Sequence, residues 1–500
     1  MSRFLLIFFL FTIPFFHGVS QDKIELLQAN ELEGGNYNNV SIRKLKGNVA
    51  FRQKEMLMYC DSAYQYSKKN GLEAFGHVRI VQGDSVTVTG NTLTYNGDTK
   101  NAIVKGNVVF KDRSATLTTD VLEYNLSTKL ATYTTGGVIR DQKNTLTSQI
   151  GHYDSKSKFF YFVKNVKVVN PQFTLVSDTL DYNTRTKIAY FHGPSKIISQ
   201  DGVIYADKGE YNTQQAVSNF KGKAKVESGS YTLTGDNLFY DEKNRRGVVK
   251  NNVKVVSPKD NIIIEGDMAY YWGNKGTSKI FGRTLMKNIM AGGDTLYITA
   301  DTMLSVDNNI PSQKRMFAYN NVRIYRADLQ GRSDSLVYNF ADSSIYFYDD
   351  PVLWSETSQI LADSININMV NQKIHKMNMS VNSFIISEDT LKNFNQVKGK
   401  KMTAFFANSK INKVDINGNG ESLYFALEGD SAIVGINKVI CSDMVIKFEN
   451  SKVNGITFIT NPDALFIPPH ELKDPEKRLK GFRWRVKEKP TKKEILTRRL

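Results

Sequence analysis

Cysteine is almost missing from this chain: Cys60 and Cys441 are the only two among 500 residues. No disulfide framework can hold such a sequence together, and each thiol is expected to act as a small buried apolar residue. Proline is scarce as well, with 11. Together with 41% hydrophobic and 11% aromatic residues, this excludes disorder along the whole length. Long apolar runs are absent beyond the first residues, since nothing later approaches the roughly 20 that a helical membrane span requires. The opening MSRFLLIFFLFTIPFFHGVSQDK pairs an early Arg3 with a short apolar run and small residues at Gly18 and Ser20. It is expected to be a secretory signal peptide over 1–20, cleaved after Ser20, with no cysteine nearby to carry a lipid.

Enzyme signatures are missing too. There is no GxSxG, HExxH or Walker-type loop, and of six histidines one lies in the leader and the rest lack ligand spacing. No catalytic residue, metal or cofactor is therefore expected. Separated carboxylates could serve a glycosidase or lyase, but nothing nominates a pair. Acidic residues are outnumbered, 50 against 66 Lys and Arg, and much of the excess sits at one end. From Glu471 to Leu500 twelve cations face five anions, +7 of the net +16. This basic, Pro-containing tail, 467–500, has two readings: a binder of anionic headgroups or an acidic partner, or a solvated tail. An exported protein seldom meets nucleic acid, so none is expected as a partner.

What the chain does have is a repeat. GNTLTY ends at Tyr95, TDVLEY at Tyr124, SQIGHY at Tyr153, SDTLDY at Tyr182, ADKGEY at Tyr211 and GDNLFY at Tyr240, each 29 residues after the last. Between them recur GNVAF at 47–51, GHVRI at 76–80 and GNVVF at 106–110, whose period of two marks strands with one buried face. The Gly is expected to open each strand after a turn. Past the tyrosine, YNLSTK or YNTRTK supplies turn chemistry. Upstream, the apolar residues at seven and two positions before each tyrosine differ by an odd number, so a flat strand would turn one of them outward. A bulge or corner must lie between. The small-Asp dipeptides there make Asp120, Asp178, Asp207, Asp236 and Asp267 the expected structural corners, through local hydrogen bonds rather than metal ligation. Each unit thus gives about two antiparallel strands and cannot close a core alone, so units must stack. Leu122, Tyr124, Leu180, Tyr182, Leu238 and Tyr240 are expected on the inward face.

These units, KGNVVF followed by TTDVLEYN above all, together with the leader, resemble the OstA/LptA family of lipopolysaccharide transport proteins. The resemblance runs from about Val40 to about Phe466, and the tail IPPHELKDPEKRLKGFRWRVKEKPTKKE is similar to that of the long OstA-like proteins. It implies an all-β, elongated, V-shaped antiparallel β-jellyroll that carries lipid acyl chains in its crease. The six inward residues then become lipid-slot candidates. The implied partners are lipopolysaccharide, an inner-membrane extraction complex, an outer-membrane translocon and, through end-to-end association, further copies. The implied location is the periplasm, with association to the outer membrane left open.

The expected organisation is a leader at 1–20, a lead-in at 21–39, regular repeats at 40–270, less regular repeats or a second jellyroll at 271–466, and the tail. Two rivals remain at this point. One is a structural or adhesive β-solenoid at the cell surface with a filled interior. The other is the plug-side domain of an outer-membrane barrel, against which stands the lack of terminal barrel strands.

Overall fold

Alternating apolar residues punctuated by Asn, Asp and Gly leave the backbone one economical choice, the antiparallel hairpin. The computed structural model describes residues 22–497 apart from 38–39, 67, 85, 114, 142–143, 201, 230, 291–292, 308–309, 408–409, 430 and 450–451. The expected leader, 1–20, lies outside the described residues. Among those described there are 36 strands, a few 3-10 turns and one short helix, Lys492–Thr497, and neighbouring strands run antiparallel. The fold is all-β, as the period-two pattern requires. The chain divides into two compact units, one ending at Phe191 and the other beginning at His192.

In the first unit the hairpin Asn101–Asp112 with Ala115–Asn125 shows how one layer is made. Ala102 pairs with Tyr124, Val104 with Leu122 and Phe110 with Leu117, and all six side chains are buried. The register slips between them: Lys105 faces Val121 and Val108 faces Thr119. Gly106 and Asn107 therefore oppose Asp120 alone. Both have left-handed φ, +80° and +50° in round terms, a two-against-one bulge. This bulge absorbs the odd offset, so Leu117 and Leu122 both point inward. It also corrects an expectation from sequence: the Gly of GNV does not open a strand but sits inside one.

Turns follow the expected chemistry. Asn183 Oδ1 accepts hydrogen bonds from the backbone N–H groups of Arg185 at 2.9 Å and Thr186 at 3.0 Å, and Asn125 does the same for Ser127 and Thr128. These are Asx turns, in which the side chain stands in for a backbone carbonyl.

The interior of this unit is closely filled. Phe110 packs edge-on against Tyr124 and Tyr153, with ring centroids 5.5 and 5.7 Å apart, and Tyr153 stacks on Phe160 at 4.1 Å. The hydroxyls of the repeat tyrosines from Tyr95 to Tyr182 each reach a side chain 41 or 42 positions earlier. Tyr95 donates to Gln53, Tyr124 to Gln82 at 2.6 Å, Tyr153 to Asp112 at 2.8 Å and Tyr182 to Asp141 at 2.7 Å. Lys158 and Lys187 then pair with the two buried carboxylates at 2.7 and 2.8 Å. Cys60 is buried by itself, and burial pushes its thiol up to about 12.

The second unit continues with hairpins of the same kind, and Cys441 is buried in it. Its distal core gathers Val352, Trp354, Phe384, Leu423 and Phe425. Into that core enters Leu479 of the basic tail, with Phe482 and Trp484 packed beside it. Ile495 is buried further on. The tail is thus folded onto the unit, which sets aside the solvated-tail reading.

Candidate functional site

The seventh residue before each tyrosine offers a direct comparison between layers. In the first unit Val88, Leu117 and Leu175 are at most 1% exposed. In the second, Ile204 and Leu233 hold the same repeat position yet are only half-buried. The interior opens there into a cavity of about 470 Å³, within the roughly 300–1,000 Å³ typical of small-molecule sites. Its walls come from successive strands, Gly202–Ala206, Val217–Ser228, Tyr231–Asp241, Arg246–Ser257 and Ile262–Trp272. Leu233, Leu238, Val255 and Ile264 supply apolar surface, and Tyr231, Tyr240 and Tyr271 supply rings.

A second repeat position explains the space. The acceptors that cap tyrosine hydroxyls in the first unit, Gln53, Gln82, Asp112 and Asp141, are followed at the same interval by Asn170, Ser199, Ser228 and Ser257. The three serines all line the cavity. Their short side chains bond locally: Ser199 donates to the carbonyl of Gly202 at 3.3 Å and Ser257 to Asp260 at 2.7 Å. Replacing an inward Gln or Asp by Ser removes volume from layer after layer, and in a packed interior that volume becomes a cavity.

The rim is charged. Lys314 lies 2.5 Å from Asp260 and 3.3 Å from Asp307, joining three separate turns, with Arg245 and Lys275 also in the lining. Burial would raise the Asp260 carboxyl, but hydrogen bonds from Lys314 and Ser257 outweigh it and hold the group below its ordinary value. Lys314 is shifted the other way: burial opposes its charge, yet the two aspartates keep it more basic than a free lysine. Inside, burial together with neighbouring Tyr271 pushes the Tyr231 phenol up, so that phenol stays neutral at physiological pH. Such a site offers an apolar bed, neutral hydroxyls and a cationic margin. Among the described residues no group of three or more His, Cys, Asp and Glu side chains gathers as a metal site would.

Of the six residues expected on an inward slot, the structure brings Leu238 and Tyr240 to this cavity. Leu122, Tyr124, Leu180 and Tyr182 are buried in the filled interior of the first unit. The five aspartates lie on the outer side of the bulges. Asp120 faces Gly106 and Asn107, and Asp178 faces Lys164 and Asn165. Asp207 stands beside Gly222, Asp236 accepts from Asn252 at 2.8 Å, and Asp267 takes a two-pronged contact from Arg283 at 2.7 and 3.0 Å. Sequence reasoning missed the serine column and Ile204, Leu233 and Tyr231. The shrinking of the polar position from Gln and Asp to Ser was the available signal.

Comparison with known proteins gives matches of two kinds, a family model and solved structures. The family model described as OstA-like protein matches residues 21–178 and 174–236. A solved structure, LptH, the LptA-homologous periplasmic component of the lipopolysaccharide transport device from Pseudomonas aeruginosa, shares 14% identity over 20% of this chain and 76% of its own, with a TM-score of 0.19. No curated protein sequence matches. Over residues 21–236, a little under half of its length, the chain is thus similar to the OstA-like proteins.

Proposed function

We propose that this protein binds lipopolysaccharide in the periplasm and hands it toward the outer membrane, with lipid A acyl chains lying in the cavity of the second unit. The observation that carries this reading is the opening of an otherwise filled apolar interior between Ile204 and Phe340, bordered by Arg245, Lys275 and Lys314. Apolar burial of about 25 cal/mol per Å² holds the chains, and cations at the mouth meet headgroup phosphates. The match of residues 21–236 to the OstA-like family model supports the same reading. The proposal carries with it an exported chain, with extraction and translocation complexes as partners at either end. Regular repeats over 40–270, less regular ones to 466 and the tail complete the proposed organisation, with end-to-end association left to the outermost strands.

A filled, structural solenoid remains the rival, and the tight packing around Tyr124 and Tyr153 favours it for the first unit. Photocrosslinking in cells separates the two. A crosslinker at Leu233 or Tyr271 is expected to capture lipopolysaccharide, and one at Tyr124 or Leu180 to capture much less. Capture only from outward positions such as Glu123 or Asp181 overturns the cavity assignment.

A further inference from the structure

The basic tail is held in an unusual way. Gln359 and Gln396 are both 0% exposed, and each uses both ends of its amide on the tail backbone, Gln396 donating also to the carbonyl of Phe394 at 3.0 Å. Gln396 accepts from the N–H of Leu479 at 2.8 Å and donates to the carbonyl of Lys477 at 2.8 Å. Gln359 accepts from the N–H of Arg485 at 2.6 Å and donates to the carbonyl of Arg483 at 2.6 Å. These are two amide clamps on one segment, six residues apart, with a turn between them in which Phe482 donates to the carbonyl of Leu479 and Gly481 has φ of +94°. Between them Leu479 is buried among Val352, Phe384 and Phe425, and Phe394 meets Phe482 and Trp484 at 5.3 and 5.0 Å. Beyond, Arg485 pairs with Asp350 at 2.8 Å.

The tail's other backbone bonds point inward on itself. Leu472, Glu476, Phe482, Glu488, Lys489 and Ile495 donate to carbonyls three or four residues earlier, and among the described residues no strand follows Ile467. A segment held by side chains and anchors alone has a local opening free energy well below that of the ladder-bonded strands. Hydrogen bonds to main chain combined with pockets for selected side chains are how proteins recognise peptides.

We propose that the groove lined by Gln359, Gln396, Trp354, Phe394 and Asp350 is a peptide-binding site, filled in cis by residues 477–485, and that the same segment of a second copy enters it in trans. The chemistry selects a cationic peptide with a leucine anchor that opens a turn, an aromatic pair three and five residues on, and an arginine after that. The tail of a second copy is the occupant that satisfies every pocket. Exchange of tails would tie copies together without altering either body.

The test keeps the full chain. A protease site is placed at the exposed Lys473–Asp474 step, the protein is folded and cut, and a fluorescent synthetic peptide of residues 474–500 is added. The labelled peptide is expected to enter at one per chain and to be displaced by unlabelled peptide. Leu479→Ala in the peptide should weaken binding about 30-fold, from the roughly 2 kcal/mol minimum for emptying a buried leucine pocket. Gln359→Ala with Gln396→Ala in the body should weaken it about tenfold. Three results overturn the proposal: a cut tail that never exchanges, a chain that unfolds on cutting, or a scrambled peptide of the same composition that competes equally. The readout is peptide binding, so it stands or falls apart from lipid binding.

Discussion

At the scale of single residues, the question posed by a buried tyrosine is where its hydroxyl goes. A phenol left without a partner in an apolar interior costs about 1–3 kcal/mol, and the repeat answers with an acceptor one and a half units earlier. Where the acceptor is an aspartate, a second problem arises, since a buried carboxylate also needs a cation. Asp141 is 4% exposed and holds both Tyr182 and Lys187. The lysine comes from the turn that follows the tyrosine, where its left-handed φ of +61° aims the side chain back at the interior. Lys187→Met is therefore expected to destabilise the first unit by about 3 kcal/mol, because it strands a buried charge. Tyr182→Phe removes only one of two partners and should cost about 1–2 kcal/mol. Adding Asp141→Asn to Lys187→Met should recover most of the loss, as the amide still accepts from the phenol. Urea unfolding of the three variants checks the order; equal losses for Lys187→Met and the double variant would show that the pair is solvated.

At the scale of the element, the distinctive part is the two-against-one bulge. Gly282 has φ of +74°, and a Cβ placed there would lie 2.8 Å from the Cβ of Asp267 and 2.7 Å from its carboxylate oxygen. Gly282→Ala thus combines left-handed strain with a clash that rotation of Asp267 only partly relieves. A loss of about 2–3 kcal/mol is expected. Gly83→Ala, at φ of +59° with nothing within 4 Å, should cost about 1 kcal/mol. Thermal unfolding of both compares strain alone with strain plus collision. The strands themselves were legible in sequence because period-two alternation and the tyrosine interval survive any local detail. That a bulge or corner interrupts each unit was legible too, from the odd apolar offset, but which strand carries it was not, because left-handed backbone leaves no periodic trace, and the visible cue, small-Asp, marks the strand opposite rather than the one that bends. The tail stayed open between two readings for a related reason: Leu479, Phe482 and Trp484 fit neither helical nor strand spacing, so nothing in the charge run marked them as core anchors.

At the scale of the whole molecule, stacking near-identical layers would give a filled interior from end to end, and what departs from it is the size of one inward polar side chain. Tyr124 has Gln82 forty-two positions before it, Tyr182 has Asp141 forty-one before, and Tyr240 has Ser199 at the same remove. If the serines at 199, 228 and 257 are what keeps the cavity open, restoring a long acceptor should close it. Ser199→Gln places an amide in a space of about 470 Å³ facing a tyrosine, the arrangement that Gln82 already adopts with Tyr124 at 2.6 Å. Stability should hold or rise slightly, since added side-chain atoms fill empty volume and gain a hydrogen-bond partner. Affinity for lipopolysaccharide, measured by displacement of a fluorescent acyl probe, should fall about tenfold, equivalent to about 1.4 kcal/mol of lost apolar contact. The corresponding change in a filled layer, Leu175→Gln, should cost several kcal/mol of stability through an unpaired buried amide. Unchanged probe affinity in a stable Ser199→Gln protein would place the acyl chains elsewhere and leave the cavity as a packing defect. A fall in affinity at constant stability would tie lipid binding to a single repeat position, the one at which this chain exchanges a structural side chain for room.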